Sequence, residues 1–173
     1  GPLKGGETEV DGISSQFLTS LLMNCPMAEN DCFIRVHNLH EKPYVDITLW
    51  WLHKMGIQYE NRKYEEFSIP GGQEFQPFTA EVPADFSSAT FFIVLAAVSG
   101  GEIVFENLDL TDPQGDKKVL DVVREMGASV SGTDGVITVA GGDLQGIEVD
   151  MNAIPDALPA LAVAGCFAEG ETR

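Results

Sequence analysis

Two serines and a glutamine, Ser14-Ser15-Gln16, stand at the head of an apolar run in which Phe17, Leu18, Leu21 and Leu22 fall at helical spacing. A hydroxyl just before such a run accepts from a free backbone N–H of the first helical turn, so Ser14 or Ser15 reads as an N-cap. The same place offers an anion unpaired N–H groups, the positive end of the helix dipole and two hydroxyl donors. A second paired serine, Ser87-Ser88, opens another apolar run without the glutamine and reads as structural capping. Asp156, after Pro155, stands at the head of a third. Taken alone, Asp156 is a first-turn acid favoured by the dipole, and Gln16 and Tyr44 are surface residues.

Metal and thiol chemistry find little support. His37 and His40 lie three apart with no cysteine or carboxylate at ligand spacing. Cys25, Cys32 and Cys166 have the spacing of neither a zinc knuckle nor a redox pair, and read as reduced, buried small side chains. The 173 residues carry 27 acidic groups against 10 Lys and Arg, a net charge of −17, which argues against a nucleic-acid partner. Phosphate is ordinarily clamped by Arg and Lys, so an acidic chain is also a poor complete site for a phosphorylated ligand. No apolar run is long enough to span a bilayer and no signal-peptide pattern opens the sequence, so the reading is a soluble, cytoplasmic protein with no membrane partner.

The elements that would position these residues form a repeat. In the first unit a strand end at 10–13 leads to a helix at 15–23, a strand at 32–36, a helix at 44–55 closed by Gly56, and a hairpin with strands at 57–59 and 67–69. From Val82 the order begins again: a helix at 89–98, a strand at 102–106, a helix at 116–126 closed by Gly127, and a hairpin with strands at 129–131 and 136–139 around Asp134-Gly135. Ser14 and Ser87 are 73 residues apart, Gly56 and Gly127 are 71, and Gly71 and Gly141 are 70. A third unit opens with a strand at 147–149 and a helix at 156–167, then stops where a strand is expected. The fold class is therefore α/β (α+β) with repeated β-α-β-α-β-β units, in a chain that reads as cut from a longer one. Residues 71–82, rich in Gly, polar and aromatic residues, read as a hinge.

The blocks SSQFLTSLLM (14–23), KPYVDITL (42–49), DFSSATFFIVLAA (85–97), QGD (114–116), DMNAIPDA (150–157) and FAEGET (167–172) fall in order along the chain and resemble the 5-enolpyruvylshikimate-3-phosphate synthase family. The resemblance implies the enolpyruvyl transferase (inverse α/β barrel) fold, two domains of three such units each, with the active site in the cleft between them. Residues 1–82 would be the last unit of the first domain, and 83–173 the first unit and part of the second unit of the other. It implies transfer of the enolpyruvyl group of phosphoenolpyruvate to the 5-hydroxyl of shikimate 3-phosphate, a step toward the aromatic amino acids, with no cofactor and no metal. Site residues carry over by motif: Ser14, Ser15 and Gln16 to shikimate 3-phosphate, Gln16 also near the enolpyruvyl donor, Tyr44 lining the same pocket, and Asp156 as proton acceptor from the 5-hydroxyl. Asp85 is taken as positional. The full-length enzyme is expected to be a monomer, and this piece, with an apolar edge exposed, to self-associate and to be inactive because its basic clamps lie in other segments.

Three departures from the family pattern stand out. The segment from Gly12 to the SSQ block is one residue short, LPAL follows the PDA block in place of AMT, and Glu41 occupies the position before KPY where a phosphate-binding serine is usual. A carboxylate there would repel a phosphate, so either Lys42 compensates or the loop is displaced. Two other readings remain open at this point: a piece of the related transferase that acts on UDP-N-acetylglucosamine, and a non-catalytic scaffold built from the same repeats.

Overall fold

In this computed structural model, residues 2–133 and 135–173 are described. The chain forms two compact units, divided between Ala80 and Glu81, two residues before the crossing expected at Val82-Pro83.

The first unit runs β1 (Gly6–Asp11), α1 (Ser15–Asn24), β2 (Cys32–His37), α2 (Lys42–Lys54), β3 (Glu60–Arg62) and β4 (Glu66–Ile69). A short 3-10 turn at Cys25–Met27, with Pro26 inside it, ends α1. The sheet order is β1-β2-β4-β3, with β1 and β2 parallel and the other pairs antiparallel. Strand alternation sends Cys32, Ile34 and Val36 of β2 inward, where they meet Leu18 and Leu22 of α1, Val45, Leu49 and Leu52 of α2, and Phe67 and Ile69 of β4. Both helices thus lie over one sheet face, and burying each such aliphatic side chain contributes about 1.5–3 kcal/mol.

The second unit runs α3 (Phe86–Ser99), β5 (Glu102–Glu106), a 3-10 turn (Gly115–Lys118) leading into α4 (Val119–Met126), β6 (Ser129–Thr133), β7 (Val136–Ala140), a 3-10 turn (Pro155–Ala157) and α5 (Leu158–Phe167). Its sheet, β5-β7-β6, is antiparallel throughout. Phe86, Ile93, Val119, Val123, Met126, Ile137, Val139, Ile154 and Leu161 form its core.

The repeat shows most clearly where α2 and α4 stop. Gly56 and Gly127 take positive φ, the Ile57 and Ala128 amides reach back to the Leu52 and Val123 carbonyls, and the two glycine amides bond His53 and Arg124. This paired closure satisfies carbonyls that the helix leaves open. It also explains why the first hairpin starts at Glu60 rather than at 57, since Ile57 is spent closing α2.

Two expected strands differ. No strand precedes α3 among the described residues, so the second unit lacks the leading strand that β1 supplies to the first. Pro77 and Pro83 have no N–H to give a ladder, and the chain instead meets the end of β5 through the Ala84 amide and the Asn107 carbonyl, 2.9 Å apart. Residues 147–149 are not a regular strand either. They run beside the last residues of the chain, with a parallel bridge from Gln145 to Glu169 and bonds between Ile147, Val149 and Arg173. This reproduces the parallel course of β1 and β2 at the start of the third unit. Asp134, at the tip of the second hairpin, lies outside the described residues; Gly135 beside it has φ +80°.

Among the described residues no helix is long and apolar enough to cross a membrane. Cys25 and Cys32 are buried, and burial together with the neighbouring Cys32 thiol pushes the Cys25 thiol up to about 12. Cys166, expected to be buried, is exposed on α5.

Candidate functional site

Ser14 is the N-cap of α1: its backbone is extended, and its Oγ accepts from the Gln16 amide at 3.4 Å. That is a long bond, so the helix end is only lightly closed from its own side. Ser15, 6% exposed, follows as the first helical residue, and Gln16 is exposed beside it.

The remaining partner of this corner comes from α2. Glu41 is the residue before that helix, yet its side chain makes no cap bond to it. Its Oε2 instead accepts from both the Ser15 amide, at 3.0 Å, and the Ser15 hydroxyl, at 2.7 Å. A carboxylate is well placed there, since it meets free N–H groups and the positive end of the helix dipole. The two helices are tied again one turn on, where the Thr19 and Thr48 hydroxyls lie 2.9 Å apart. Tyr44, half-buried in the first turn of α2, stands in the same region, its amide bonded to the Glu41 carbonyl.

Both residues raised by the departure at Glu41 have partners within the first unit. The loop is held in place by the carboxylate itself, and Lys42 Nζ lies over the Tyr64 ring, 5.5 Å from its centroid. Tyr64 in turn donates to Asp46 Oδ1 at 2.5 Å, which together with burial pushes its phenol up to about 12. Among the described residues Glu41 has no ion pair with Lys, Arg or His. Spacing alone could not have shown the bond, because Ser15 and Glu41 are 26 residues apart.

The matching corner of the second unit is built differently. Asp85, not Ser87 or Ser88, is the N-cap of α3, and its carboxylate accepts from the amides of both serines, at 3.2 and 2.9 Å. Burial pushes its carboxyl up, but the bonds from the Ser88 hydroxyl and from the two amides outweigh that, leaving the pKa below its ordinary 3.8. Asp85 therefore does capping chemistry rather than merely marking position. Ser87 Oγ donates to Asp116 Oδ2 at 2.8 Å, and Asp116, 3% exposed, opens the second helical segment just as Glu41 does in the first unit. Gln114 completes this latch, accepting from the Phe86 amide and donating to Ala84 O and Asp112 Oδ2.

Asp156 belongs to the second unit. It sits in the 3-10 turn that opens α5 and is exposed, and among the described residues nothing bonds its carboxylate. Ser14, Ser15, Gln16 and Tyr44 are thus brought to one corner of the first unit, while Asp156 stands at a helix start in the other. Among the described residues, no three of His, Cys, Asp and Glu gather as a metal site would require.

The family model described as EPSP synthase (3-phosphoshikimate 1-carboxyvinyltransferase) matches residues 1–173. Among curated relatives, the 3-phosphoshikimate 1-carboxyvinyltransferase of Acetivibrio thermocellus is 56% identical over 173 residues, and that of Ruminiclostridium cellulolyticum is 54% identical. All of this chain is covered in both alignments, but it spans only 41% of either relative. Of solved structures, the EPSP synthase from Acinetobacter baumannii superposes with a TM-score of 0.75 at 25% identity, over 99% of this chain and 40% of that one.

Proposed function

Because this chain belongs to the EPSP synthase family, we propose that it is part of an enzyme that transfers the enolpyruvyl group of phosphoenolpyruvate to the 5-hydroxyl of shikimate 3-phosphate. The observation that carries this reading is the corner at the start of α1, where Ser14, Ser15, Gln16 and Tyr44 stand together at a helix end whose Ser15 amide and hydroxyl already hold a carboxylate oxygen. In this role the serines and Gln16 hold shikimate 3-phosphate through hydroxyl, amide and side-chain donors, and Tyr44 lines its pocket.

The reaction needs an alcohol oxygen to attack C2 of the donor while losing its proton, with C3 gaining one; phosphate then leaves as the proton on C3 is given up again. A base must therefore reach the 5-hydroxyl. Asp156 takes that part. Its exposure at a helix start suits a group that must meet a ligand, and the rest of the longer protein supplies the cations that two anionic substrates require. Residues 1–82 serve as the last repeat of one domain, and 83–173 as the first repeat and part of the second of the other.

The isolated chain is expected to bind shikimate 3-phosphate without turnover. Titration calorimetry with shikimate 3-phosphate, and separately with UDP-N-acetylglucosamine, tests the reading: preference for the sugar nucleotide would overturn it. Phosphate release from the isolated chain with both substrates present would overturn the expectation of inactivity. The full-length enzyme is read as a monomer and this chain alone as self-associating, supported by exposed Phe91, Phe92 and Leu95 on α3 and Val163 and Phe167 on α5. Sedimentation velocity over a range of concentrations checks that expectation.

A further inference from the structure

We infer that Glu41 is an internal competitor for the anion-holding corner at the start of α1, and that it sets how tightly this corner takes a phosphorylated ligand. The inference rests on the reading of that corner as the place where shikimate 3-phosphate is held, and adds a residue that works against the ligand rather than for it.

Three observations carry it. First, one carboxylate oxygen takes both donors of Ser15, the amide and the hydroxyl, which a phosphate seated at this helix start would also need. Second, the carboxylate is supplied from outside α1. Glu41 stands at the N-cap position of α2, yet it leaves that helix start without a side-chain cap and reaches to α1 instead. Third, the second unit serves as an internal control. There the corresponding bridge, Ser87 to Asp116, is 3% exposed at its acid, and α3 is closed independently by two amide bonds to Asp85. That corner is a finished piece of structure. In the first unit Glu41 is only half-buried, and the sole cap from α1's own side is the 3.4 Å contact of Ser14.

Two anions cannot share the Ser15 donors without strong repulsion. A phosphate must therefore displace the Glu41 side chain, and the affinity measured for it is what remains after Glu41 has been expelled. Removing the charge lifts that competition; keeping the corner otherwise intact keeps the donors.

The test is calorimetric titration of shikimate 3-phosphate into the full chain and its Glu41→Ser, Glu41→Gln and Gln16→Ala variants, with unphosphorylated shikimate as the second probe. Both Glu41 variants are expected to bind shikimate 3-phosphate about tenfold or more tightly than the parent, and shikimate no more tightly. Glu41→Gln keeps an oxygen acceptor for Ser15 and carries the test if the serine variant does not fold. Unchanged or weakened affinity in both folded variants would overturn the inference, since a purely structural bridge predicts loss of stability and no gain in binding. If in that event Gln16→Ala still weakens the ligand, the site reading stands and only the role of Glu41 falls. If Gln16→Ala has no effect either, the site reading falls with it.

Discussion

Each unit brings a carboxylate from the start of its second helix to a serine at the start of its first, Glu41 to Ser15 and Asp116 to Ser87, yet the two corners differ in how finished they are. At α3, Asp85 closes the helix from within, Gln114 braces the entering chain, and Asp116 is buried against Ser87. At α1, a lone hydroxyl makes a 3.4 Å cap, and the half-buried Glu41 carries the rest. At the start of α3 the Phe86, Ser87 and Ser88 amides and the Ser87 hydroxyl are held by built-in partners, whereas at the start of α1 the Ser15 donors are held by a group that can leave. The same repeat thus yields a latch in one place and a binding corner in the other, and the choice turns on a few polar side chains rather than on the backbone.

The largest effect should come from breaking the latch. Asp116→Ala removes a buried bond to a charged acceptor and strands the Ser87 hydroxyl, and is expected to destabilise the second unit by about 2 kcal/mol. Chemical denaturation followed by far-UV circular dichroism checks this. Both tryptophans, Trp50 and Trp51, lie in α2, so tryptophan fluorescence reports on the first unit alone and separates the two responses. Asp85→Ala comes next, at about 1 kcal/mol for loss of an N-cap carboxylate. The pH dependence follows from its lowered pKa: the stabilisation is fully present above the unfolded value of 3.8 and is lost as pH falls through the lower folded value. Amide protection factors in α3, that is, exchange rates corrected for their intrinsic pH dependence, should fall in the parent from pH 5 downward and change less in Asp85→Asn. Equal acid sensitivity in both would break the assignment of Asp85 as the cap.

Ser14→Ala should cost least, about 0.5 kcal/mol, because the bond removed is long and Glu41 still serves the helix end. A loss as large as that for Asp85→Ala would erase the contrast between the corners. Thiol labelling offers a separate check on the packing of each unit: one cysteine, Cys166, should react in the native chain, while the buried Cys25 and Cys32 should not.

Much of this was legible in the residues. The paired serines before an apolar period mark the start of α1, and Gly56 and Gly127 mark where α2 and α4 close, because capping and left-handed closure are local requirements that spacing records. What escaped was either nonlocal or a competition between local signals. The bond from Glu41 to Ser15 crosses 26 residues and leaves no periodic trace. At α3, Asp85 outcompeted the two serines after it, since an ionised carboxylate accepts two amides where a hydroxyl serves one. The leading strand of the second unit failed because Pro77 and Pro83 withdraw donors from a segment whose position in the repeat had promised a strand. The approach of residues 145–149 to the end of the chain likewise depended on packing rather than on pattern.

The most direct test of the contrast is a titration of the isotopically labelled chain with shikimate 3-phosphate, following the backbone amides of Ser15, Gln16 and Phe17 against those of Phe86, Ser87 and Ser88. The account predicts saturable shifts at the first three and none at the second three. Equal shifts at both helix starts, or movement at α3 alone, would contradict it.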